Sequence, residues 1–364
     1  MSNDSPGAPL PTPPIAQEQP SVSLPLVSEQ ALIDLLPECE LPVDSVLILS
    51  QGRAQIASLL RQRYPAARLT AWYIDLHQAT LAQSAVAEDV SVQCTADLPE
   101  GPYGLVVFPV SMRGEAELTR DLLQQAHGLL ADGGTLAASV DNPKDQWLRE
   151  QMEGMFDKVR CISSPAARVY VARKTKPLRK LRSFQAEIVF RDDDQLIKLT
   201  TRPGVFAHRQ LDPGARQLLL SVDIEAGQRV MDLGCGSGAL ALAALKRAPN
   251  VTAFAIDSNA RALQCATLSA QANEVRGMHI ILNADGELGL DDSIDVVLCN
   301  PPYYSDFEIA ERMIGTAVRA LRSGGAILLV NKTPRWYGER MPQSFHDVSI
   351  FASGKYWVAC GRKP

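Results

Sequence analysis

Histidine is scarce in this chain, and its cysteines are poorly arranged for binding a metal. Only five histidines occur in 364 residues, without a cluster, and the seven cysteines at 39, 94, 161, 235, 265, 299 and 360 include no CxxC pair. A tetrahedral metal site needs several such ligands at short spacing, so none is expected, and the thiols read as reduced and packed. No apolar run approaches the ~20 residues that span a bilayer, and the N-terminus lacks the basic-then-apolar order of a secretory signal. Membrane residence is therefore excluded and the cytoplasm is the expected location. A strong positive balance is also missing. The net charge of -5 argues against a protein that coats nucleic acid with its whole surface, but a local basic strip would escape that average.

With 46% hydrophobic and 21% charged residues, the chain has the composition of a soluble globular protein with a sizeable core. Its length predicts two or three units on the usual scale of about 150 residues each. Residues 1–28 carry Pro6, Pro9, Pro11, Pro13, Pro14, Pro20 and Pro25 among polar neighbours, which reads as a disordered, solubilising tail. From Val43 strands and helices alternate: VDSVLILS, a helix over Ile56 to Tyr64, RLTAWYID, VSVQC, GLVVFPV, a helix over Leu118 to Leu130, then TLAASV. That order predicts an α/β fold with a doubly wound, Rossmann-like parallel sheet.

The second half repeats the first. GQRVMDLGCGSG matches VDSVLILSQGRA, VTAFAIDSN matches LTAWYIDLH, and ILNADGEL matches QCTADLPE. IDVVLCNPPYY then answers YGLVVFPVSMR, SGGAILLVNK answers DGGTLAASVD, and KYWVACGRK answers RVYVARK. So many matches in one order predict an internal duplication. The expected division is a tail over 1–28, a first copy over 29–173, a basic linker, β-hairpin and lead-in helix over 174–223 attached to the second copy, and that copy over 224–364. Packing of two copies in one chain supplies a partner surface in cis, so a monomer is expected.

The copies differ at their turns. Asp232, Gly234, Gly236 and Gly238 of the second stand against Ile48, Ser50, Gly52 and Ala54 of the first. Side chains in a turn that must approach a ligand closely make binding in the first copy improbable, so it is read as degenerate. In the second, Gly234-x-Gly236-x-x-Ala239 also satisfies a permissive dinucleotide pattern. Asp232 tilts the reading toward S-adenosylmethionine, because a carboxylate there can meet a methionine ammonium and would repel a pyrophosphate. Asp257, ending the next strand, can accept from both ribose hydroxyls, and Asp285 can accept from an adenine amine. Cys235 and Cys299 read as small packed residues, since no base stands near them in sequence.

Asn300-Pro301-Pro302-Tyr303 closes the strand SIDVVLC. The prolines end the strand and hold a rigid corner. An asparagine oxygen and a proline carbonyl can accept both N–H bonds of a conjugated amine and turn its lone pair toward a methyl donor. Tyr303 can stack on a flat acceptor.

DLGCGSG, Asp257 and NPPY resemble the class I S-adenosylmethionine-dependent amino-methyltransferases. The degenerate first copy, RPGVFAHRQLDPGARQLLL and the pattern running from NPPY to KYWVA resemble, more narrowly, the ribosomal RNA guanine-N2 methyltransferases of the RsmC type. The resemblance implies methylation of a guanine 2-amino group in ribosomal RNA or a ribosomal subunit. It implies cofactor contacts from Asp232, Gly234, Cys235, Gly236, Gly238, Asp257, Ser258, Ala284 and Asp285, with Phe206 lining the pocket and Asn300 to Tyr303 holding the base. Tyr303 and Tyr304 stand where that family more often has phenylalanine and then histidine. NPPY is also shown by adenine-N6 and protein glutamine-N5 methyltransferases, so both remain alternatives, as does a non-enzymatic RNA-binding assembly protein. Arg168, Arg173, Lys174, Lys176, Arg179, Lys180 and Arg182, with no acid among them, favour RNA.

Overall fold

The computed structural model describes residues 24–37, 43–302 and 307–364. Most of the proline-rich tail, Cys39 and Tyr303 lie outside the described residues. In the first copy the elements run α1 (Val27–Leu35), β1 (Ser45–Leu49), α2 (Ile56–Arg63), β2 (Arg68–Tyr73), α3 (Leu76–Gln83), β3 (Val90–Cys94) and β4 (Tyr103–Val110). They continue through α4 (Ala116–Leu129), β5 (Leu130–Val140), α5 (Trp147–Glu153), β6 (Val159–Ser163) and β7 (Arg168–Arg173). A hairpin of β8 (Ala186–Asp192) and β9 (Gln195–Thr201) and the helix α6 (Pro213–Leu219) lead into the second copy. There follow β10 (Arg229–Leu233), α7 (Ala239–Arg247), β11 (Thr252–Asp257), α8 (Ala260–Ala272), β12 (Met278–Leu282) and β13 (Ile294–Cys299). The chain ends with α9 (Glu308–Ala320), β14 (Leu321–Asn331), α10 (Pro334–Arg340), β15 (His346–Ser353) and β16 (Tyr356–Arg362).

Two seven-stranded sheets have the same order, β3-β2-β1-β4-β5-β7-β6 and β12-β11-β10-β13-β14-β16-β15. Five strands of each are parallel. The last two are antiparallel, β7 against β5 and β6, and β16 against β14 and β15. The doubly wound parallel sheet expected from the alternation is thus present in both copies, and at one edge of each a short hairpin replaces a further helical crossover and reverses one strand. Helix α1 begins at Val27, inside the stretch read as tail, and buries Ala31 and Leu32 in the first copy's core.

One detail of the sequence match is corrected by the register. Val46 pairs with Leu69, and its counterpart Val230 pairs with Ala253, so the second strands match two residues out from the ungapped pairing of LTAWYIDLH with VTAFAIDSN. Tyr73, and not Asp75, stands at the place of Asp257, while Asp75 matches Asn259. Both of these latter residues cap helices: Asp75 accepts from Gln78 N and Asn259 from Arg261 N and Ala262 N.

The copies meet across this pair of turns. Leu76 N donates to Ser258 O (2.8 Å) and Ala260 N to Ile74 O (2.9 Å), and Leu76 matches Ala260 as Ile74 matches Ser258. The contact is thus a pseudo-two-fold exchange. Beside it Arg261, 0% exposed, reaches Asp121 at 2.8 Å and gives hydrogen bonds to Ala96 O and Pro203 O. Arg202 donates to Asp97 at 2.9 Å. Hairpin and α6 belong to the second copy's core, where Phe190, Ile197, Leu199, Leu218 and Leu219 pack with Val230 and Leu242. Asp192 and Arg247 form a buried pair that ties the hairpin to α7.

Candidate functional site

The site lies at the carboxyl ends of β10, β11 and β13, where the strand order reverses between β10 and β13, the usual ligand position in such sheets. After Leu233 the chain needs a left-handed turn. Gly234, Gly236 and Gly238 supply it with φ of 79°, 52° and 84°. A Cβ on Gly234 would lie 2.9 Å from Met313 Cε, whereas one on Gly236 would meet nothing within 4 Å. Backbone at Gly236 therefore faces open space that a ligand can enter.

Two acids hold this turn. Asp257 accepts from Gly236 N (2.8 Å) and Asn259 N (2.9 Å). Burial pushes its carboxyl above the ordinary range, while those N–H donors oppose the shift. Asp232, 1% exposed, accepts from Ala241 N at 3.1 Å, which anchors the start of α7. Its pKa is pushed up to about 7, first by burial and further by the negative field of Asp257. Buried acids of one sign beneath a glycine turn are poised for a cationic ligand group. An adenosylated methionine fits: its ammonium would relieve the strain on Asp232, and its ribose hydroxyls suit the half-buried Asp257.

The other expected contacts vary in position. Asp285 is exposed and accepts from Glu287 N (2.9 Å) and Asn283 Nδ2 (2.8 Å), donors that keep its carboxyl below the usual range and ionised. Ala284 stands beside it in the same loop. Cys235 is buried, its thiol raised by burial and by Asp257, and Cys299 is raised likewise, so neither is a thiolate. Ser258 has its hydroxyl turned to the first copy. Its hydroxyl donates to Asp75 Oδ2 at 2.6 Å, which makes it a contact between the copies, because the turn that carries it is the one docked on the first copy. Phe206 is 62% exposed, and its neighbour Val205 is the buried member of that turn, against Ala262 and Cys265.

At the acceptor corner, Pro301 is buried and Asn300 half-buried at the end of β13. Asn300 Nδ2 donates to Asp212 Oδ2 at 2.7 Å, and the same oxygen accepts from Ala215 N at 2.8 Å as the N-cap of α6. An amide that gives its N–H to a carboxylate has its orientation fixed and presents oxygen as the acceptor. A Cβ on Gly214 would stand 3.1 Å from Asn300 Oδ1 and 2.8 Å from Asp212 Oδ2, so only glycine fits against this pair. Asp212 was not singled out from sequence, although DPGAR signals a capped helix start with proline at its first position. Also missed were Phe307 and Trp336, stacked with centroids 4.4 Å apart at 9°, with Tyr337 edge-on to both. They stand at the start of α9 and on α10, immediately beyond the NPPY corner in the chain and beyond β14.

The chain is similar to known proteins in sequence and in fold. Residues 196–359 match the family model described as "Methyltransferase small domain". The chain is 31% identical over 274 residues to "Ribosomal RNA large subunit methyltransferase G" of Pseudomonas entomophila, covering 72% of each. It is 31% identical over 158 residues to "Ribosomal RNA small subunit methyltransferase C" of Psychromonas ingrahamii, covering 42% of this chain and 45% of that one. In fold it is similar, with a TM-score of 0.77 and 18% identity over 98% of both chains, to the T. thermophilus 16S rRNA N2 G1207 methyltransferase, solved in complex with AdoMet and guanosine. Both copies thus have the methyltransferase fold in tandem, and only the second keeps the glycine turn and the acids under it. The chain belongs to the class I S-adenosylmethionine-dependent ribosomal RNA methyltransferases.

Proposed function

We propose that the chain methylates the exocyclic 2-amino group of a guanine in large-subunit ribosomal RNA. The observation that carries the amine acceptor is the Asn300 amide, held by Asp212 at the carboxyl end of β13 beside the glycine turn. The choice of subunit rests on the relative named for the large subunit, which aligns over far more of the chain than the one named for the small subunit.

A guanine 2-amino nitrogen is a weak nucleophile because its lone pair is delocalised into the ring. Asn300 Oδ1 and the Pro301 carbonyl accept its two N–H bonds, so the lone pair stands out of the ring plane and toward the glycine turn. The cofactor, when bound, supplies a methyl group on sulfonium with a neutral thioether as leaving group. Methyl transfer to the held nitrogen would leave the neutral thioether, and the nitrogen's surplus proton would pass to water. Asp257 would hold the ribose hydroxyls, Asp285 and the backbone at Ala284 the adenine edge, and Asp232 would balance the ammonium through the base of the turn. In this reading Tyr303 is the residue that stacks on the base. The protein acts as a monomer in the cytoplasm, with the first copy covering the turn that would otherwise be exposed.

The test is transfer from methyl-labelled S-adenosylmethionine to unmodified 23S RNA, 16S RNA, isolated subunits and release factors, followed by digestion to nucleosides. N2-methylguanosine from 23S RNA is expected. Label on protein alone, or on adenine N6, would refute the reading.

A further inference from the structure

The basic run that follows the first copy is not uniform once folded. Arg168 donates to Pro143 O and Asp145 O, Arg173 to Gly133 O, and Lys174 to Leu130 O. Lys176 pairs with Asp157. These cations close the edge of the first sheet and are engaged within the fold. Arg179, Lys180 and Arg182 differ. Among the described residues their side chains make no hydrogen bond or ion pair, and all three are exposed. The strand of chain that carries them is nonetheless fixed, because Gln124 brackets Arg182 through both its backbone N–H (2.8 Å) and its carbonyl (3.0 Å).

This segment roofs a cavity of about 600 Å³ over α4 and α5, lined by Arg120, Lys176, Arg179, Lys180, Arg182 and Phe184 among others, with Glu150 as its acid. A second cavity of about 530 Å³ continues from it through Gln124, Arg182 and Phe184 toward Arg202. The two adjoin through those three shared residues, and the second, where Asp97 and Asp121 face Arg202, reaches the joint between the copies. Five cations gathered in one cleft of a chain with net charge -5 oppose the average and focus a positive field there. The apolar floor of Met155, Pro177, Leu178 and Phe184 gives a flat base something to lie on, which a purely electrostatic patch would lack.

Resting on the reading that the substrate is RNA, we propose that this cleft is a second RNA-binding site, remote from the target guanine. It takes a single-stranded segment of the substrate, with phosphates on Arg179, Lys180 and Arg182 and a base against Phe184. A folded RNA would then be held at two points, the guanine at the NPPY corner and a flanking strand in this cleft. This assigns the degenerate copy a share in substrate binding through α4 and α5.

Two full-length variants test it. Arg179→Ala/Lys180→Ala/Arg182→Ala removes exposed side chains that support no internal contact, and Phe184→Ala removes the stacking surface. With deproteinised 23S RNA the triple variant should raise KM about tenfold or more at low salt. It should also flatten the plot of log affinity against log salt by roughly 2, since each lost single-strand phosphate contact removes about 0.7 of slope. Phe184→Ala should raise KM roughly fivefold to a hundredfold with the slope unchanged. Neither should change cofactor affinity or kcat at saturating RNA. Unchanged KM and slope in the triple variant, alongside active wild type, would overturn the proposal. So would a loss seen only on assembled subunits, which would make the partner a protein. A wild type that methylates no RNA refutes instead the function on which the proposal rests.

Discussion

The bond from Asn300 Nδ2 to Asp212 Oδ2 offers a sharp test of the site. Asp212 does two things with one oxygen: it caps α6 through Ala215 N at 2.8 Å and fixes the Asn300 amide at 2.7 Å. Asp212→Ala removes both. The lost cap costs about 1 kcal/mol of stability. The lost charge-assisted bond, at about 1.5–3 kcal/mol, lets the amide rotate and offer nitrogen where the substrate needs oxygen. If that orientation matters only as the methyl group moves, kcat should fall by roughly 10- to 150-fold, with cofactor Kd unchanged and RNA KM little altered. Asp212→Asn separates the two roles: an amide oxygen in the same place can still accept both bonds, and asparagine caps helices as well as aspartate does. Its kcat should recover most of the loss. The assay is single-turnover methyl transfer under saturating RNA, with cofactor affinity measured separately by calorimetry. Equal losses in kcat and cofactor binding, or an Asp212→Ala enzyme of full kcat, would refute the reasoning. Non-additivity with Asn300→Ala is also required, since two residues acting through one amide cannot each contribute independently.

Other outcomes follow from the same structure. Asp232, at about 7 in the folded protein, holds its proton far above the pH at which the unfolded chain loses it. Its contribution to stability is therefore full at low pH and lost as pH rises through about 7, and Asp232→Asn should abolish that part of the difference between thermal melts at pH 5 and pH 8. A bound ammonium should lower the same pKa, so cofactor binding near pH 7 should release a proton, read as a dependence of calorimetric heat on buffer ionisation enthalpy; buffer-independent heat would contradict it. Arg261→Ala leaves Asp121 facing a buried gap at the joint between the copies and should destabilise by about 3–5 kcal/mol in urea melts. Arg261→Ala/Asp121→Ala should regain part of that loss. Calorimetry should find one cofactor per chain, and Tyr73→Phe should leave that affinity unchanged while costing about 1 kcal/mol for the bond to Gly52 O.

Much of the fold was legible because it is written twice. Strand runs such as SVLIL and RVMDL are buried on both faces, as parallel strands must be, and the same order of runs in both halves leaves little choice of topology. The edge was not legible, since RVYVARK reads as a strand in either direction and only the short connection from β6 decides for antiparallel pairing. Register was misread at β2 because an Ile-Asp pair ends the apolar run in both copies, and similarity of sequence outweighed the position of the capping residues. The site was legible where backbone demanded glycine and where prolines forced a corner. Asp212 escaped because its partner lies 88 residues away and local sequence reports only its capping role. The bond from Ser258 to Asp75 was not legible either, since nothing local marks a hydroxyl that faces the other copy.

The first copy shows how the fold outlasted its binding site. Ala54 keeps a left-handed φ of 54° at the place of Gly238, at an energetic cost that a glycine would avoid. Gly52 no longer has the positive φ of its counterpart Gly236, and a Cβ there would meet Glu29 and Leu26 at 3.1 and 3.4 Å, where Gly236 has open space. Glu29, buried on α1, accepts from Ile56 N at the start of α2 and so occupies backbone that could face a ligand; burial raises its carboxyl. Tyr73, 2% exposed, takes the place of Asp257, and its hydroxyl donates to Gly52 O at 3.1 Å, so a phenol bridges strand end and turn where a carboxylate does so in the second copy. The site is filled from within. Its remaining acid, Asp97 at the place of Asp285, binds Arg202 and Arg261 of the second copy. Asp75 takes the hydroxyl next to Asp257. Residues at the rim of the lost site thus hold in place the turn that carries the surviving one, which is a physical reason for the chain to retain the first copy.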